Sequence, residues 1–105
     1  RKRNLTDQGQ VVRVATRFAT AIRVPEPVSS VVIGDPERFL AEHSEKEPTL
    51  VLVKPVTEQP GESNLLVVTT SGRQLSFLLR MDPSGPKRVD FVLVYKPAGS
   101  FLVGE

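Results

Sequence analysis

The sequence predicts an all-β domain, a β-sandwich of about seven short strands, and three observations support this prediction. Apolar and polar residues alternate with a period of two over much of the chain, which is typical of half-buried strands. Nine prolines and an aromatic content of only 6% suggest many short elements separated by turns. These elements recur at intervals of about 8–12 residues, a spacing typical of sandwiches. An open five-stranded barrel is the main alternative.

The chain of 105 residues is long enough for one hydrophobic core and too short for two. We assign residues 11–105 to a single domain and residues 1–10, which begin with Arg1-Lys2-Arg3, to a flexible lead-in. The chain begins without a methionine or a signal peptide, so we expect an excised domain or a mature fragment of a longer protein, and the missing signal carries no information about export. No apolar run approaches the roughly 20 residues needed to span a bilayer.

The first half of the chain predicts three strands. Alternation over 11–24 indicates two strands separated by one residue, and Pro25-Glu26-Pro27 ends the second because proline removes a ladder donor. A short β-branched strand follows at Ser29–Ile33 and ends at Gly34-Asp35-Pro36. The residues expected to share a core-facing side are Phe18, Ile22 and Val24.

One short helical turn is predicted near residues 36–43. Asp35 suits the capping position, Pro36 fits the first turn, and Glu37 favours the positive end of the helix dipole. The residues expected to anchor this turn are Phe39 and Leu40.

The second half of the chain contains the centre of the predicted sheet. A strand at Thr49–Lys54 is followed by the hairpin Asn64–Met81, whose turn holds Gly72 because glycine adopts a positive φ without steric cost. A loop at Asp82–Pro86 leads to a last strand at Arg88–Lys96. The residues expected on one face of these strands are Leu75, Phe77 and Leu79 in the hairpin, and Val89, Phe91, Leu93 and Tyr95 in the last strand.

The sequence gives no candidate for catalysis, cofactor binding or metal binding. It contains no cysteine, which excludes a thiolate metal site, a cysteine nucleophile and a disulfide framework. His43 is the single histidine and is interpreted as a surface residue. No phosphate-binding loop or nucleophile elbow occurs. Two acidic residues, Asp35 and Glu37, are assigned to capping. A second group is assigned to a solvated surface, with a weak cation site as the alternative: Glu42, Glu45 and Glu47.

Nucleic-acid binding is an alternative function, from a different class than a structural component or an enzyme. Small barrels stack bases on exposed aromatic residues between basic ones, but Phe18, Phe77 and Phe91 occupy alternating positions that suit the core. The net charge of +2 does not select a partner. The basic residues that would form a stripe if their strands were neighbours are Arg13, Arg17, Arg23, Arg73, Arg80, Lys87 and Arg88.

Several short segments resemble a known family when taken in order. They are Val28-Ser29-Ser30-Val31-Val32-Ile33-Gly34-Asp35-Pro36, Leu52-Val53-Lys54-Pro55, Ser63-Asn64-Leu65-Leu66-Val67-Val68-Thr69-Thr70, Gly72-Arg73 and Leu75-Ser76-Phe77-Leu78-Leu79. Together they resemble the amino-terminal domain of the VirB/TraO/CagX family, the conjugal-transfer core proteins of type IV secretion systems. The segment Pro60-Gly61-Glu62-Ser63-Asn64-Leu65, with the first of these segments, also resembles the amino-terminal domain of pilus secretins.

The resemblance implies a structural component and not an enzyme. Members of this family work in the periplasm as parts of an outer-membrane core complex, so we expect a homo-oligomeric ring with other secretion-core proteins as partners. It implies no small-molecule substrate and no cofactor, and it leaves the binding residues unknown. A pilus or secretion secretin would occupy the same compartment, also as part of a ring.

Overall fold

Nine β-strands form in the computed structural model, which describes residues 2–5, 10–81 and 92–95. The strands are β1 (Lys2–Leu5), β2 (Gln10–Val14), β3 (Thr20–Arg23), β4 (Val28–Ile33), β5 (Phe39–Ser44), β6 (Glu47–Pro55), β7 (Gly61–Thr69), β8 (Gln74–Met81) and β9 (Val92–Tyr95). They build two mixed sheets, sheet A in the order β1-β9-β3-β6-β5 and sheet B in the order β2-β8-β7-β4. The predicted all-β sandwich is confirmed.

The core lies between the two sheets and is mainly aliphatic. Strand β8 shows the pattern, because Leu75, Phe77 and Leu79 are buried while Gln74 and Ser76 are exposed, as the alternation predicts. The largest fully buried side chains are Phe39, Phe77, Ile22, Leu65, Leu79 and Leu93. Both sheets contribute to this one cluster, so burial of its apolar surface is the main force that holds them together.

The predicted hairpin is confirmed as β7 and β8. Its closing turn contains Gly72 with a φ of 87°, the left-handed conformation that glycine adopts most readily. The Gly72 amide donates to the Thr69 carbonyl oxygen at 2.9 Å, and the Thr69 amide donates to the Arg73 carbonyl oxygen at 2.9 Å.

The prediction of a helical turn near residues 36–43 is wrong except for the first residues of that range. Asp35 does cap a turn, since its Oδ1 accepts from the Glu37 amide and its carbonyl oxygen accepts from the Arg38 and Phe39 amides, each at 3.1 Å. The chain then enters β5, which pairs antiparallel with β6, and the described residues contain no helix. A single helical turn is costly to nucleate, whereas pairing with β6 gives the backbone partners and buries Phe39.

The beginning of the chain also differs from the prediction. Residues 1–10 were expected to form a flexible lead-in, but Lys2–Leu5 form β1 and pair in parallel with β9, and β2 begins at Gln10. Polar composition does not prevent strand formation here, because β9 supplies backbone partners. Within β9, Leu93 is buried as predicted. The predictions for Asp82–Pro86, Val89 and Phe91 concern residues outside the described ones.

The break between the first two predicted strands is a tight turn. Arg17 adopts a positive φ of 74°, and the Phe18 amide donates to the Ala15 carbonyl oxygen at 3.1 Å. Beyond the turn, Ile22 and Val24 are buried as predicted, whereas Phe18 is only half-buried because it precedes β3.

Candidate interaction surfaces

Three segments that carry the family resemblance meet at one corner of the sandwich, which we call the motif corner: 34–38, 54–56 and 60–64. The Gly34 amide donates to the Asn64 carbonyl oxygen at 2.9 Å. The Val56 amide donates to the Arg38 carbonyl oxygen at 2.8 Å. The Arg38 guanidinium extends from Asp35, where Nε lies 3.2 Å from Oδ2, to the Pro60 carbonyl oxygen, 3.3 Å from Nη1.

Two glycines allow the close packing of the motif corner. A Cβ atom on Gly34 would overlap the side-chain oxygen of Asn64 and lie 2.9 Å from the Ser63 Oγ. A Cβ atom on Gly61 would lie 2.9 Å from the Arg38 Nη1. Gly34 of the Gly-Asp element therefore packs directly against Asn64 of the Asn-Leu element, and Val56, next to the Lys-Pro element, is joined to Arg38.

A carboxylate and two hydroxyl groups form a second cluster, the tip cluster of Glu26, Thr69 and Ser71, at the other end of β7. Both hydroxyl groups donate to Glu26 Oε1 at 2.7 Å, and their oxygens lie 3.1 Å apart. Thr69 Oγ1 also accepts from the Arg73 amide at 3.2 Å, and the Thr70 amide donates to the Pro27 carbonyl oxygen at 2.9 Å. The Pro25–Pro27 connection between the sheets is thus fastened to the hairpin.

The tip cluster lowers the pKa of Glu26 below its ordinary value. The hydrogen bond from Thr69 has the largest effect, the one from Ser71 follows, and the positive charge of Arg73 adds to them, while desolvation opposes all three. Each of these bonds favours the ionised carboxylate. Sequence reasoning missed Glu26 because its partners lie 43 and 45 positions away along the chain.

The titratable side chains of the described residues do not cluster into a metal-binding constellation. No group of three or more His, Asp or Glu residues in that part of the chain is arranged to hold a metal ion. His43 is exposed at the end of β5, as predicted, and Glu42, Glu45 and Glu47 are exposed around the β5–β6 turn.

The basic residues do not form one stripe in the described part of the chain. Arg13 and Arg80 are cross-strand partners on β2 and β8, and Arg80 forms an ion pair with Glu62. Arg23 lies on the other sheet, where its Nη1 donates to Thr49 Oγ1 at 2.8 Å. The remaining members of the predicted stripe lie in the β2–β3 turn (Arg17), beside the hairpin turn (Arg73) and outside the described residues (Lys87, Arg88).

A further surface is formed by two of the edge strands, β4 and β5, which we call the edge surface. Within the described residues β4 pairs only with β7 and β5 pairs only with β6, so each strand has one backbone edge without a strand partner. The two strands contact each other on the same side of the sandwich. Val32 on β4 is 54% exposed and Leu40 on β5 is 41% exposed.

No protein-family model and no curated protein sequence matches this chain. The family resemblance therefore rests on the sequence segments quoted above. In the part of the chain that the structure describes, no helix has the length and apolar character needed to cross a membrane.

Proposed function

We propose that this chain is a non-enzymatic structural component of a bacterial type IV secretion or conjugation channel. It works in the periplasm and is associated with the outer membrane through the full-length assembly. Its partners are copies of itself in a ring and other proteins of the secretion core. The resemblance supplies the kind of assembly, and the edge surface supplies a means of contact.

The edge surface is the observation that supports this proposal most. Strand edges with free backbone groups are the usual route by which one β-protein pairs with another. Val32 and Leu40 add aliphatic area beside those edges. In a closed ring each contact joins two different surfaces, so the edge surface of one subunit faces another part of its neighbour. A secretin domain in a ring would use the same kind of contact.

Site-specific crosslinking in the native assembly tests this proposal. The 105 residues contain no cysteine, so Val32→Cys and Leu40→Cys introduce single reactive thiols at the edge surface. The full-length protein carrying either substitution is treated with a short thiol-to-amine crosslinker in envelope fractions. Ser76→Cys is the matched control, because Ser76 is exposed on β8, which is paired on both sides.

The expected result is an outer-membrane assembly in which the edge variants crosslink to neighbouring copies and the Ser76 variant does not. A soluble cytoplasmic protein without large assemblies would contradict the proposal. The nucleic-acid alternative predicts an affinity for DNA or RNA that falls steeply as salt is added. Absence of binding at low salt would exclude that alternative.

A further inference from the structure

A groove of about 280 Å³ opens on sheet A at the β5–β6 hairpin. We call it the acidic groove. The residues that line it are Glu42, His43, Ser44, Glu47, Leu50 and Leu52. It is separate from the motif corner and the tip cluster.

The groove originates from an interruption in strand pairing. His43 is paired with Val51, but the next residue, Ser44, is paired with Glu47. The residues Pro48–Leu50 therefore have no counterpart on β5, and the strand bulges away from its neighbour at this point. The sequence pattern predicts a helical turn near residues 36–43 and therefore does not predict this groove, which forms only when Phe39–Ser44 is a strand.

The groove combines aliphatic side chains with two carboxylates, Glu42 and Glu47. Leu52 is 38% exposed and Leu50 is half-buried, so apolar surface remains in contact with water. Glu47 lies 3.7 Å from the Arg23 guanidinium. Glu42 forms no ion pair with any described residue, so its charge is available to a partner.

The groove is small and lies beside an edge strand. At about 280 Å³ it falls just below the range of about 300–1,000 Å³ that small-molecule pockets enclose. In the described part of sheet A, β5 is an edge strand whose backbone has no strand partner on the side away from β6, and β4 of the other sheet contacts it. In an extended segment, residues two apart lie on the same face.

We propose that the acidic groove binds an extended basic and apolar segment of a partner protein. One large apolar side chain of that segment covers Leu50 and Leu52. A lysine or arginine two residues away pairs with Glu42. Burial of the apolar side chain supplies most of the affinity, and the charge pair selects a basic partner over an acidic one. This interaction does not depend on the chain being part of a secretion channel.

The test is a titration of the isotope-labelled 105-residue chain, followed by amide chemical shifts. The probe is a seven-residue peptide with a central leucine, a lysine two positions to either side, and glycine or serine elsewhere. Two matched peptides replace the leucine by serine or both lysines by glutamate. We expect shifts confined to the residues around 42–44 and 50–52 with the first peptide only.

Variants of the chain separate the charge from the apolar contact. Glu42→Lys is expected to weaken binding about five- to tenfold, because an attractive exposed pair becomes repulsive. Glu58→Lys makes the same change of charge at an exposed residue outside the groove, and no effect is expected. Leu52→Ser is expected to weaken binding, with Val56→Ser, at a residue that is 52% exposed, as its control.

Four outcomes would overturn the proposal. Shifts outside the groove, or equal binding of the lysine and glutamate peptides, would show that the groove does not select basic segments. Equal effects of Glu42→Lys and Glu58→Lys would have the same meaning. If the chain alone forms a dimer in sedimentation and Glu42→Lys abolishes it, the occupant is a second copy.

Discussion

Replacing Thr69 by valine removes one hydroxyl group from the tip cluster and leaves the shape of the side chain unchanged. Thr69 is 2% exposed. Its hydroxyl donates to Glu26 Oε1 at 2.7 Å and accepts from the Arg73 amide at 3.2 Å. Because valine has the same volume, no cavity forms, and the change in the free energy of unfolding reports on these hydrogen bonds.

The expected cost of Thr69→Val is about 1–2 kcal/mol. A typical intramolecular hydrogen bond contributes about 1 kcal/mol net, and this hydroxyl group makes more than one. Valine favours the strand conformation slightly more than threonine does, so the expected cost lies below the sum of the hydrogen-bond contributions. The measurement is urea-induced unfolding at pH 7. Thr70→Val is the matched control, because Thr70 is exposed and only its backbone amide bonds to Pro27.

The same substitution changes the dependence of stability on pH. The pKa of Glu26 in the folded protein is lowered from 4.5, so its contribution is fully present above pH 4.5 and is lost as the pH falls through the lowered value. In Thr69→Val the largest cause of this shift is absent. We therefore expect the pKa of Glu26, measured by carbon NMR of its carboxyl group, to rise, and the loss of stability in acid to be smaller.

Two results would refute this reasoning. The first is a cost of Thr69→Val within about 0.5 kcal/mol of the Thr70→Val control, since surface substitutions commonly fall in that range. The second is an unchanged pKa of Glu26 in the valine variant. Either result would mean that the hydrogen bonds of the Thr69 hydroxyl group contribute little to stability and that the tip cluster does not hold the hairpin.

Other predictions concern the turns and the core, with urea-induced unfolding as the measurement. Gly72→Ala should cost about 1 kcal/mol, because a Cβ atom there meets nothing within 4 Å and only the positive φ is unfavourable. Gly72→Asn should cost less, since asparagine tolerates this conformation. Gly34→Ala should lower the stability of the chain. The double variant Gly34→Ala/Asn64→Ala should be at least about 0.5 kcal/mol more stable than the sum of the two single changes predicts. Phe77→Ala should cost about 3–5 kcal/mol, since Phe77 is 1% exposed.

Each of these predictions has a contrary outcome. Equal costs for alanine and asparagine at position 72 would show that the φ angle does not determine the effect. Additive costs of Gly34→Ala and Asn64→Ala would show that the added methyl group is accommodated without displacing Asn64. A loss below about 1 kcal/mol for Phe77→Ala would be incompatible with a close-packed core around this ring.

The parts of the fold that were predictable are those set by neighbours in sequence. Alternation along Leu75, Phe77 and Leu79 identifies the inner face of β8, because side chains of a strand point to opposite faces in turn. Gly72 marks the hairpin turn because the strands on either side are only a few residues apart. These signals are local, so a single sequence contains them.

The parts that were missed depend on partners distant in sequence. Residues 36–43 have acceptable helical signals at their start, and only pairing with β6 makes Phe39–Ser44 a strand. Glu26 stands between two prolines and suggests only a strand end, since the hydroxyl groups that bind it come from the hairpin. The acidic groove follows from the register of β5 and β6, and no pattern in the sequence specifies that register.

The position of β9 affects how the chain reaches its folded state. This strand lies between β1 and β3 in sheet A, and it pairs Val92 with Lys2 on one side and with Ala21 on the other. A ribosome therefore releases β1 and β3 long before the strand that joins them exists. Such distant pairings slow folding. Until residues 92–95 have been synthesised, β1 and β3 have unpaired edges. A chaperone that covers these edges would protect the incomplete chain from aggregation.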